Sequence, residues 1–141
     1  MTTAPSLTRL NPSGLHETPG YHHITIVEAG RTAHLAGQCP LDAEGAVVAP
    51  GEALPQTDQV AANALTALAA IDAAPEQVVR SVIYVASTEE EVLAEVWHRL
   101  NASALAPAFT SASTLLGVAS LGFPGQRVEL DLTVALGPST T

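Results

Sequence analysis

The stretch QVAANALTALAAIDAAPEQVVRSVIYVAS, Gln59 to Ser87, changes its period half-way along. In its first half Val60, Ala64, Leu68 and Ile71 recur at helical spacing, with Ala61 and Leu65 beside them. That lays one apolar stripe along a helix. The pattern reaches back to Leu54, and Pro55 suits a first turn, where a missing N–H costs nothing. The helix is expected to end near Ala73–Pro75. From Gln77 the chain becomes β-branched and almost continuously apolar, which predicts a central, buried strand.

Working outward, YHHITIVEAG (Tyr21–Gly30) and RTAHLAGQ (Arg31–Gln38) alternate as two strands joined by an Ala-Gly turn, a predicted hairpin. PLDAEGAVVAPG reads as a turn at Asp42–Gly45 and a short third strand. Downstream, STEEEVLAEVWHRLNAS is a second helix. Ser87 and Glu90 have capping-box spacing, three glutamates sit at the positive end, and His98 and Arg99 sit at the negative end. Val92, Val96 and Leu100 make its apolar stripe. STLLGVASL and QRVELDLTVAL follow as strands. In the last, Val128, Leu130, Leu132 and Val134 face one way, and Glu129, Asp131 and Thr133 face the other. The order β-β-β-α-β-α-β-β in one domain, residues 1–141, predicts an α+β fold with a mixed sheet and both helices on one face.

Composition narrows the function. The formal charge is −9, and the basic residues are five arginines, Arg9, Arg31, Arg80, Arg99 and Arg127, with no lysine. Schiff-base chemistry on a lysine is excluded. Scattered arginines on an acidic chain argue against nucleic acid and against a polybasic membrane contact. Charged residues make up 13%, about half the usual share, which points to surface covered by other subunits. Between Leu100 and Gln126 there is no charged side chain at all. Cys39 is the only cysteine, so no internal disulfide is available, which suits a cytoplasmic protein. MTTAPSLTRLNPSG lacks the pattern of a secretory signal, and no apolar run is long enough to span a bilayer.

Few residues carry candidate chemistry. His22 and His23 are adjacent on a strand, so their imidazoles point to opposite faces and do not share an ion with His16; no metal is expected. Cys39, with no base near it in sequence, reads as a small apolar residue. Glu129 and Asp131 share a strand face; either a solvated face or a cleft acid able to shuttle a proton fits them. Tyr21 sits at a loop-to-strand junction, where it is either a rim aromatic or a pocket wall.

PGYHHITIVEAGRTAHLAGQCPLD, the Gln59–Ser87 unit and STLLGVASLGFPGQRVELDLTVAL together resemble the RidA/YjgF family, from about Gly20 to Leu136. The resemblance implies a chorismate-mutase-like fold, a homotrimer with ligand clefts between subunits, and no cofactor. It also implies water-mediated hydrolysis of small imines or enamines to a 2-oxo acid and ammonia. Tyr21 matches the pocket tyrosine, Gly37 the glycine whose backbone lines the site, Glu129 the acid, and Leu115 a position acting through its carbonyl. Ala36 stands where serine is usual, and Ala94 where the deaminases commonly have asparagine. The larger departure is SAST-L-L, where deaminases read PARS-x-V. Allowing one extra residue in LGFPGQ puts Ser113 at the position of the carboxylate-binding arginine; an ungapped count lands on Thr114. Neither replaces a bidentate guanidinium. Arg127, two residues from Glu129, is the candidate substitute. Three functions stay open: a 2-iminobutanoate/2-iminopropanoate deaminase-like hydrolase using Glu129 and Tyr21, a non-catalytic trimer that binds a small molecule or serves a pathway enzyme, or a pathway-specific enzyme that reuses the cleft and Glu129 for another proton transfer or condensation.

Overall fold

The computed structural model describes residues 6–138. The reading of residues 1–5 as free of a signal segment lies outside them. The elements are β1 (Leu7–Leu10), β2 (Ile24–Val27), β3 (Arg31–His34), α1 (Ala53–Ala70), β4 (Val78–Val85), α2 (Glu90–Asn101), β5 (Ala112–Gly117) and β6 (Val128–Leu136). Four strands form a sheet in the order β3-β6-β4-β5, with β4 and β5 parallel and the other neighbours antiparallel. The sheet is therefore mixed and the fold is α+β.

The period change at Ala73–Pro75 is real. Val60, Ala61, Ala64 and Leu68 of α1 are buried, and so are Val96 and Leu100 of α2. They pack on the face formed by Ile83, Val85, Leu130, Leu132 and Val134. The expected alternation of β6 holds along its length: even positions from Val128 to Val134 are buried, odd ones from Glu129 to Thr133 are half-exposed. Both helices thus cover one face and leave the other to Val82, Tyr84, Glu129, Asp131 and Leu116. Ile71 falls just past α1 and is 37% exposed. There the chain closes the helix through Asp72 at φ +52°, with Asp72 N–H donating to Ala69 O and Ala73 N–H to Leu68 O. This is the Schellman arrangement, built on an aspartate.

Three expectations are corrected. The β2–β3 hairpin does not form. β2 pairs with β1, Leu7 opposite Val27, and β3 pairs with the far half of β6, Arg31 opposite Leu136. Gly30 permits this, because a Cβ there would stand 2.9 Å from Leu136 O. The third strand shrinks to one bridge, Leu41 with Val47, around a turn in which Asp42 Oδ1 accepts from Glu44 N–H and Ala46 N–H. Ser87 does not cap α2 as a box with Glu90; its hydroxyl accepts from Glu89 N–H at 3.0 Å, and Glu89 is the N-cap.

Side-chain amides fix the loops around the sheet end. Gln56, fully buried, donates to Ala49 O and Gly125 O and accepts from Arg127 N–H. Asn63 Nδ2 donates to Cys39 O and Leu41 O, which holds the segment after β3 against α1.

Candidate functional site

A pocket of about 440 Å³ opens between α2 and β5. Tyr21 and Pro19 form one wall, and Ser113 and Leu115 of β5 another. The third wall is a stripe of α2, Ala94, Trp97, His98 and Asn101. These four recur at i, i+3, i+4 and i+7, so they form a second helical face beside the buried one. The sequence reading used the core stripe of this helix and passed over the pocket stripe. The spacing around its single tryptophan was the signal available.

Tyr21 is held from several sides. Thr18 Oγ1 donates to Tyr21 O, and the phenol oxygen lies 3.4 Å from His16 Nε2. Its ring meets Trp97 edge-on at 6.3 Å, and Trp97 in turn meets Phe109 at 6.0 Å. Such edge-to-face pairs fix ring orientation as well as bury area. The neighbouring histidines diverge: His22 Nδ1 reaches Thr110 O, whereas His23 Nε2 reaches His16 O at 2.8 Å.

Strand register distinguishes the two candidates for the arginine position. Ser113 lies opposite Ser81, which is fully buried, and the two hydroxyls are hydrogen-bonded. Thr114 lies opposite Val82 and faces the other side of the sheet, where it accepts from Arg80 Nη2 at 2.6 Å. Ser113 is therefore the pocket residue, and the nearby Arg80 guanidinium is turned away. Arg127 is elsewhere too. Its Nη1 donates to Ala86 O, and it lines a separate hollow of about 470 Å³ with Ser87, Thr88 and Val118. No arginine is among the residues that line the Tyr21 pocket.

Glu129 stands on the opposite face of the sheet from Ser113 and Leu115, level with Tyr84. Its Oε1 accepts from Gln126 Nε2 at 3.2 Å and from Cys39 Sγ at 3.4 Å. Its Oε2 lies against Gly37, where a Cβ would come within 2.2 Å. Gly37 and Glu129 are thus brought together, with Cys39 and the buried Gln126 as partners that sequence reasoning did not assign. Burial pushes the Cys39 thiol up from its ordinary range. The hydrogen bond to Glu129 and that carboxylate's charge push the same way, against an opposing pull from Gln126. The structure accordingly gathers Tyr21, Ser113 and Leu115 in a pocket and Gly37 and Glu129 in a carboxylate niche. Within one chain the two do not meet.

The family model described as Endoribonuclease L-PSP matches residues 15–136. Among solved structures, the Rid-family protein YyfB from Yersinia pestis is 29% identical, with a TM-score of 0.80 over 92% of this chain and 98% of that one. Yeast Mmf1 is 21% identical, with a TM-score of 0.65 over 96% of this chain and 98% of that one. A YjgF-family protein from Neisseria meningitidis is 22% identical, with a TM-score of 0.61 over 95% and 98%. No curated protein matches. With its fold and nearly its whole length accounted for, the chain belongs to the Rid/YjgF family, the family described as Endoribonuclease L-PSP.

Proposed function

We propose that the chain acts as an imine or enamine hydrolase of a cyclic homotrimer, in clefts that join the niche of one copy to the pocket of the next. The separation of Glu129 from Tyr21 on opposite sheet faces carries this reading: one chain holds an acid without a pocket and a pocket without an acid. In the joined cleft Glu129 exchanges a proton between the substrate nitrogen and an attacking water, Gly37 leaves room for its carboxylate, and Tyr21 orients the substrate. Water adds to the C=N carbon, and ammonia leaves as that carbon becomes a carbonyl.

The five arginines are dispersed. Each donates to its own partner: Ser111 and Glu76 O, Gly137 O, Thr114, Asp58, or Ala86 O. That dispersal speaks against RNA, which needs clustered cations. The missing guanidinium favours a second reading, a trimer that binds its ligand without turning it over.

One experiment separates them. An imine generated in situ is followed by ammonia release, with Glu129→Gln and Trp97→Ala each expected to abolish the acceleration. Co-expression of the two inactive chains should restore part of it, because mixed trimers contain intact clefts. No acceleration by the wild type over buffer overturns the hydrolase, and no restoration overturns the shared cleft.

A further inference from the structure

Taking the Tyr21 pocket to be the substrate site, as proposed above, we infer that it receives the flat, uncharged, apolar part of its ligand, an aromatic substituent on a neutral imine or amide-like group, and not a small carboxylate. Volume is the first ground. At roughly 30 Å³ per heavy atom the pocket has room for on the order of ten to fifteen heavy atoms. A three-carbon imino acid covers less than half of it, and the apolar walls it does not reach stay in contact with water.

The second ground is the wall itself. Trp97 is in edge-to-face contact with both Tyr21 and Phe109, which hold its indole in place. Leu115, Pro19 and Ala94 complete an apolar slot around it. A rigid aromatic wall favours a planar partner, because ring–ring contact adds to area burial and little side-chain entropy is lost.

The third ground is what the polar groups are committed to. The Ser113 hydroxyl is hydrogen-bonded to Ser81 beneath it and carries no charge to offer a carboxylate. Arg80 is turned to Thr114 on the far face. Asn101 spends Nδ2 on Trp97 O at 2.9 Å, which leaves its oxygen to accept from a ligand N–H. A carboxylate entering this slot loses its water and meets no fixed cation, and that desolvation is not repaid. His98 is the one lining group able to carry a positive charge.

The single tryptophan of the chain is Trp97, so its fluorescence reports this pocket directly. The intact protein is titrated at pH 8 with phenylacetamide, phenylacetate and pyruvate. Phenylacetamide should bind at least about tenfold more tightly than either anion, a gap of about 1.4 kcal/mol. Ser113→Arg should reverse the order of phenylacetamide and phenylacetate. The wild-type series decides even if that variant fails to fold. Equal or tighter binding of phenylacetate or pyruvate overturns the inference, as does no response to phenylacetamide.

The outcome is separable from the catalytic reading. A wild type that binds it but hydrolyses no imine removes the hydrolase and leaves the ligand class standing. Hydrolysis of small imino acids with no binding of phenylacetamide removes the ligand class alone.

Discussion

At Gly37 the presence of hydrogen in place of a methyl sets the geometry of the acid. Alanine there would put a carbon 2.2 Å from Glu129 Oε2. The carboxylate, at the far end of a flexible side chain, has to swing away. Glu129 would also leave Cys39, whose thiol donates to it. Cys39 therefore reports the position of the acid. Burial, the hydrogen bond and the negative carboxylate all favour the protonated thiol, so the folded pKa lies above the ordinary thiol value. Only the thiolate alkylates. The wild-type rate with iodoacetamide should stay low through neutral pH and rise at a midpoint above that of an unfolded control. Glu129→Gln removes the charge and should lower that midpoint, though burial keeps it above the control. Gly37→Ala should shift it the same way. A wild-type midpoint equal to the control's contradicts the placement of Cys39 beside Glu129. The resemblance put Gly37 and Glu129 at one site, but the part of Cys39 was not legible in the chain, because it meets them only when β6 folds back beside the segment after β3. Arg127 was unreadable for a related reason. Alternation places side chains only inside a ladder, and β6 begins at Val128.

At the scale of elements, the readable parts are those whose period is imposed by burial on one side. α1, β4, α2 and β6 each carry a stripe that the core demands, and each was expected close to where it lies. The choice of strand partner is not local. β2 and β3 look like a hairpin because they are adjacent, but β1 and β6 offer them longer-range edges. The end of α1 holds a further prediction. Asp72 closes the helix at φ +52°, a conformation in which a Cβ is penalised and glycine is not. Asp72→Gly should stabilise the protein by about 1 kcal/mol in chemical denaturation, with the slope unchanged. Asp72→Val should destabilise it, since a β-branched residue tolerates that backbone least. If the glycine variant instead loses stability, the aspartate side chain rather than the turn closes the helix.

At the scale of the molecule, one sheet face is covered by two helices and the other is left to a mixture of apolar and acidic side chains. Leu116 on that second face is 42% exposed, beside half-buried Val82 and Tyr84. A chain with 13% charged residues has little polar surface to spare for such a face, and association is the economical way to hide it. The cyclic trimer we propose would cover it and would also supply each pocket with a neighbour's Glu129. Sedimentation should then give three times the 14.4 kDa chain mass. Leu116→Asp places a charge on the face that the proposed trimer would bury and should give monomers. The side chain points away from the α2 face, so the core is untouched and circular dichroism should be unchanged. Imine hydrolysis should fall with the trimer, by at least about a hundredfold, because the acid no longer faces a pocket. Monomers that keep full activity would mean that Glu129 and the Tyr21 pocket do not share a substrate.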